Sequence, residues 1–94
     1  MIIWQASAIA DRDAQLDYIA LDNPKAAIEQ GDKIANHVTK LADHPKLGRV
    51  GRVTSTRELV ITGTPFIVIY RINDTLIQIL ALLHGSQQWP KKSK

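Results

Sequence analysis

RELVITGTPFIVIYRINDTLIQILALLHGSQQW, residues 57–89, holds two apolar runs, 66–72 and 76–83, separated only by Asn73, Asp74 and Thr75. Both runs are rich in Ile, Val, Leu and aromatic residues, and Asn-Asp is a polar pair that tight turns accept. The spacing predicts a β-hairpin at the centre of a sheet. A third run, 58–61, leads into it through Thr62, Gly63, Thr64 and Pro65, a second turn signal. What precedes this stretch reads as helix that covers one face of the sheet.

Working outward, Ile2, Ile3 and Trp4 form a short apolar run expected to be an edge or near-edge strand. Ser7 is a plausible N-cap for a first helix. In that helix Ile9, Leu16, Ile19 and Ala20 recur at roughly helical spacing, with Asp11, Asp13 and Asp17 on the wet side. Arg12 and Gln15 interrupt the stripe. Asn23 and Pro24 signal a second helix: Asn caps well, and Pro suits the first helical position, where its missing N–H would have no partner. Ala27, Gly31, Ile34, Ala35, Val38, Leu41 and Ala42 then follow a helical stripe to His44 and Pro45. Two antiparallel helices joined at 21–24 are expected, followed by a basic, Gly-punctuated connection over 46–52 and a solvated tail at 90–94. The order is β-α-α-β-β-β, an α+β domain with an antiparallel sheet.

A chain of 94 residues makes one domain, 1–94, with a single core. It has no cysteine, which removes disulfides and thiolate chemistry and suits a reducing cytoplasm. No apolar run approaches the ~18–20 residues that span a bilayer, and the N-terminus lacks the basic and apolar regions of a signal peptide, so a soluble cytoplasmic protein without a membrane partner is expected. The net charge of +3 conceals an asymmetry. Residues 1–45 carry four Lys/Arg against seven Asp/Glu, and 46–94 carry eight against two. Positive charge therefore gathers on loop, sheet and tail, either to meet an anionic partner or simply to keep the domain solvated.

No nucleotide-binding loop, nucleophile elbow or metal-binding motif is present, and no metal or cofactor is expected. His37 and His44 suit a structural role along and at the end of the second helix. His84 ends the most apolar strand just before Gly85, where an imidazole either transfers a proton or caps the strand. Arg71 lies inside an apolar strand and must pair, snorkel or face an open side, with Glu58 as a candidate partner. Arg57, Arg49 and Arg52 form a basic set able to bind phosphates, or solvated loop charge. Trp89 is either a stacking platform or a lid that holds the tail down.

Taken together, Trp4, Asp17-Tyr18-Ile19-Ala20, Asn23-Pro24 with Ala26-Ala27, Pro45 with Gly48-Arg49, Thr56-Arg57-Glu58-Leu59-Val60, Pro65-Phe66-Ile67-Val68-Ile69-Tyr70-Arg71-Ile72, and Leu83-His84-Gly85 with Gln88-Trp89-Pro90 resemble the RelE/ParE toxin superfamily. The match runs through nearly the whole chain in order. The resemblance implies a helical hairpin on a curved, mainly antiparallel sheet, and a growth-inhibiting toxin of a type II toxin–antitoxin module, neutralised by a cognate antitoxin protein. An open sheet edge at residues 2–4 or 58–61 would suit an antitoxin strand.

The superfamily divides by target. RelE-like members cut mRNA in the ribosomal A site, and ParE-like members inhibit DNA gyrase. On the first alternative Arg57 would stabilise the phosphate and His84 would act as acid or base. On the second, Arg49, Arg52, Arg57, Arg71 and Trp89 would line a target-binding surface with no bond-breaking chemistry. Ile67 stands where many RelE-like ribonucleases carry an arginine, and a C-terminal tyrosine is absent. Both departures favour the ParE-like alternative.

Overall fold

The computed structural model describes residues 1–85 and 87–90; residues 91–94 of the expected solvated tail lie outside that range. The predicted hairpin is present as β4 (Phe66–Asn73) and β5 (Leu76–His84), with Asn73 opposite Leu76 and Asp74 turning the chain at a left-handed φ of 54°. A short polar side chain tolerates that conformation better than a branched one. The other strands are β1 (Ile2–Trp4), β2 (Arg49–Val50) and β3 (Arg57–Val60), in the sheet order β1-β5-β4-β3-β2. The hairpin is thus central. Only β1 runs parallel to its neighbour, β5. The strand β2 falls inside the connection expected over 46–52, because two residues leave no periodicity to read.

Helices α1 (Ala6–Asp22) and α2 (Pro24–Thr39) form the expected hairpin, and a 3-10 turn, Lys40–Ala42, extends the second. Asn23 caps α2 by accepting a hydrogen bond from the Ala26 N–H at 3.1 Å, with Pro24 at the start of the helix. The helices cover one sheet face. Ile34, Val38 and Leu41 meet Leu59, Ile61, Phe66, Val68, Tyr70, Ile77, Ile79 and Leu82 there. Each fully buried aliphatic side chain in this layer contributes roughly 1.5–3 kcal/mol.

The first helix departs from its expected stripe. Ala8 is fully buried and Ile9 is exposed, while Leu16 and Ile19 pack half-buried against the core. Arg12 explains its own interruption: its guanidinium lies 4.8 Å over the Trp4 ring, fastening helix to edge strand. Ser7 does not cap the helix, since Gln5 holds the N-cap position without a side-chain bond. β1 ends opposite Ile79, and Ser7 Oγ then donates to the Leu80 carbonyl (3.2 Å) while Asp11 accepts the Leu82 N–H (3.1 Å). Both residues satisfy strand groups that would otherwise lack a partner where β1 stops.

In β5, Leu80 is an extra residue, because Ala81 faces Ile69 but Ile79 faces Tyr70. This bulge changes the inward parity, so that Leu82, Ile79 and Ile77 all turn toward the helices. On the opposite face Ile69, Ala81 and Leu83 form a smaller cluster, joined by Ile67, Leu80 and Trp89.

Tyr70 joins sheet to loop. Its buried hydroxyl donates to the Pro45 carbonyl at 2.6 Å and accepts the Gly48 N–H at 2.8 Å. A Cβ on Gly48 would sit 2.7 Å from Tyr70 Cε1 and 2.9 Å from the Glu58 carbonyl, so the loop closes only on glycine. Tyr70→Phe strands both backbone groups. It should destabilise the protein by about 1–3 kcal/mol, seen in urea as a lower midpoint at unchanged slope. A change below ~0.5 kcal/mol would show the bonds to be dispensable.

Candidate functional site

The basic residues divide between the two sheet faces, and the register decides which goes where. Glu58 pairs with Ile69 and with Arg49, placing both charged side chains on the face away from the helices. Arg57 pairs with Tyr70 and so belongs to the helix-covered face.

Glu58 is the buried member of the first group, at 6% exposure. Its Oε1 accepts Arg49 Nε (3.2 Å) and Nη2 (2.9 Å). Its Oε2 accepts the Arg52 backbone N–H at 3.3 Å and lies 3.5 Å from Arg52 Nε. Both arginine side chains stay largely open to solvent, at 60% and 71%. Burial pushes the Glu58 carboxyl up, but the Arg49 and Arg52 hydrogen bonds and charges outweigh it, leaving its pKa below the ordinary 4.5.

The loop beneath these arginines is tightly built. Gly51 N–H donates to the Thr56 carbonyl (2.8 Å), and a Cβ on Gly51 would strike the Thr56 hydroxyl. Thr56 in turn donates through Oγ to the Val53 carbonyl at 2.6 Å, and Ser55 turns the chain at φ 64°. Arg57 Nη1 donates to the Gly48 carbonyl at 2.8 Å. Gly48 is therefore held on both sides, by Tyr70 and by Arg57. Burial raises the Tyr70 pKa, and the Gly48 bond and the Arg57 charge only partly offset it.

Arg71 lies on the open face but does not pair with Glu58. Its Nε donates to Gln78 Oε1 at 2.6 Å, directly across the hairpin, because the nearer arginines already occupy the carboxylate. Trp89 rests half-buried on the apolar cluster between these strands. His84 is exposed, with its ring edge-on to Phe66 at 6.1 Å between centroids. Its backbone N–H donates to Gln87 Oε1 at 2.7 Å.

The structure thus brings Arg49 and Arg52 together, with Arg71 on the same face. It does not bring Arg57 and His84 together. They register opposite Tyr70 and Phe66, four residues apart on β4 or roughly 13 Å along the strand, with β4 itself between them. Sequence reasoning missed the role of Glu58 in gathering Arg49 and Arg52; the alternation of a charged residue with Leu59 and Ile61 in a strand was the available signal. Among the described residues no group of three or more His, Asp or Glu could hold a metal, and no helix is long and apolar enough to cross a membrane.

Comparison with known proteins agrees with this architecture. The sequence profile of the family described as ParE toxin of type II toxin-antitoxin system, parDE, matches residues 2–89. Y4kP of Sinorhizobium fredii (strain NBRC 101917 / NGR234), which carries the name of a candidate toxin, is 41% identical over 90 residues, covering 96% of this chain and 93% of that one. Toxin RelE2 of Caulobacter vibrioides (strain ATCC 19089 / CIP 103742 / CB 15) is 31% identical over 86 residues, covering 92% and 96%. A solved chain of the chromosomal ParDE TA system from P. aeruginosa superposes with a TM-score of 0.79 at 28% identity, covering 88% of this chain and 92% of that one.

The lowered Glu58 pKa fixes a pH dependence. A carboxylate depressed in the fold contributes stability above its unfolded pKa and loses it as pH falls through the folded value. Glu58→Gln should cost on the order of 1–2 kcal/mol at pH 7, because the exposed arginines recover water. The gap from wild type should shrink below pH 4.5. Urea unfolding across pH checks this, and a gap independent of pH would contradict it.

Proposed function

The chain belongs to the ParE toxin family of type II toxin–antitoxin systems, and from that membership we propose that it acts in the cytoplasm by inhibiting DNA gyrase. The observation that carries this reading is the match to the ParE profile across residues 2–89, together with a basic face that presents binding groups. Arg49 and Arg52, with Arg71 and Trp89 on the same face, are the residues we assign to target contact. Arg57 supports them from beneath by holding Gly48. No bond-breaking step is required of them.

A second reading, ribosome-dependent cleavage of mRNA with Arg57 and His84 as the acting pair, draws on the similarity to Toxin RelE2. The separation of Arg57 and His84 counts against it, because a phosphate and its leaving oxygen need both groups within hydrogen-bond reach.

Purified toxin added to a gyrase supercoiling assay should inhibit it. Arg49→Ala/Arg52→Ala should weaken inhibition about tenfold or more, and His84→Ala should leave it within roughly threefold. Cleavage of mRNA on programmed ribosomes that vanishes with His84→Ala, with supercoiling untouched, would replace this reading by the second.

Membership of a toxin–antitoxin family implies a cognate antitoxin. We assign its strand to an open sheet edge, at β1 (Ile2–Trp4) or at the expected edge over 58–61, where β2 already covers Glu58 and leaves 59–61 open. The second edge borders a groove of about 390 Å³ lined by His37, Lys40 and the Arg49–Glu58 pair, where Lys40 would meet an acidic side chain. Hydrogen exchange on the complex should slow at one of these edges; unchanged exchange at both would eliminate strand pairing.

A further inference from the structure

We propose that Glu58 is a positioning residue for target binding: its buried carboxylate holds the Arg49 and Arg52 guanidiniums side by side on the open sheet face, so that their remaining donors engage one anionic surface together. This rests on the reading that the open basic face contacts the target.

The position itself argues for more than stability. Glu58 lies mid-strand beside Ile69, where an apolar residue would bury well and need no partner. Replacing a buried ion pair with packed apolar groups is often neutral or stabilising, so packing alone does not call for a carboxylate here. What the carboxylate adds is geometry. Oε1 accepts both Arg49 bonds, while Oε2 accepts the Arg52 N–H and pairs with the Arg52 guanidinium at 3.5 Å, so one carboxylate draws the two cations together.

The three exposed arginines of this face are each anchored by one side-chain acceptor. Arg49 donates Nε and Nη2 to Glu58, Arg52 sets its Nε 3.5 Å from the same carboxylate as an ion pair, and Arg71 donates Nε to Gln78. Each contact leaves terminal nitrogens for a partner. Arg49 Nη1 and both terminal nitrogens of Arg52 have no hydrogen-bond partner among the described residues. The backbone under the pair is equally fixed, by Tyr70 and Arg57 at Gly48 and by Thr56 at Gly51. A long cationic side chain ordered before binding loses less freedom on contact, which favours affinity.

The alternative is that Glu58 merely dilutes positive charge, and the two roles differ in sign. Removing a negative charge from a basic face strengthens its attraction for an anionic surface if the charge is all that matters. Removing a positioning group weakens binding in spite of the added positive charge.

Wild type, Glu58→Gln, Arg49→Lys/Arg52→Lys, and Arg49→Ala/Arg52→Ala with and without Glu58→Gln are compared in two assays. One is inhibition of gyrase supercoiling; the other is growth arrest on induced expression in cells without an antitoxin. Glu58→Gln should be about tenfold less potent than wild type, and should change nothing further once both arginines are alanine. The lysine pair keeps the charge and leaves Glu58 in place, but has no Nε fork to grip, and should lose about as much. It decides the matter if Glu58→Gln fails to hold a cooperative melt. Potency equal to or above wild type in a folded Glu58→Gln, or in the lysine pair, overturns the proposal. A wild type that arrests growth without touching supercoiling overturns the gyrase reading alone, and the variants are then ranked on growth arrest.

Discussion

A single hydroxyl in the middle of the central strand decides how the loop of this protein lies. Tyr70 is fully buried, and its oxygen both donates to Pro45 and accepts from Gly48. Those bonds draw the segment after the helices down onto the sheet, and Arg57 completes the hold by donating to the Gly48 carbonyl. Because the loop is pinned there, the following residues emerge beside β3 and pair as β2. That pairing sets Arg49 opposite Glu58. Without the tyrosine oxygen, the buried Gly48 N–H and the half-buried Pro45 carbonyl would lose this partner and the arginines would have no fixed base.

The electrostatics follow from the same placement. A carboxylate buried mid-strand is unfavourable by itself, and here two cations from one short loop reverse the balance and hold it ionised. The acidic half of the chain forms the helices on one side, and Arg49, Arg52 and Arg71 of the other half collect on the uncovered side, while Arg57 turns inward. The molecule therefore presents a polarised surface, in keeping with a toxin family whose members are held by protein antitoxins.

Edges and faces are managed by means that no periodicity displays. Where β1 ends, Ser7 and Asp11 of the first helix take over the backbone groups of β5. Where strict alternation would turn residues of β5 the wrong way, one bulged leucine restores their parity. Trp89 covers part of the face that the helices leave bare. Each device relies on residues distant in sequence, and each leaves the apolar pattern looking merely dense.

The sequence by itself determined the hairpin, the two helices and the Asn23-Pro24 junction, because periodicity, turn residues and caps act within a few residues of one another. It also carried the family resemblance, since the motifs are spread along the chain in order. Tertiary structure alone decided which face each arginine occupies. Strand register fixes a side chain's face, and a shift of one residue reverses it. That is why Glu58 holds Arg49 and Arg52 rather than Arg71, why Arg57 turns inward to a carbonyl, and why His84 stands apart from it. Ser7 and Asp11 read as a cap and a wet-face residue for the same reason: their partners lie more than seventy residues away, and only the fold brings them within hydrogen-bond distance.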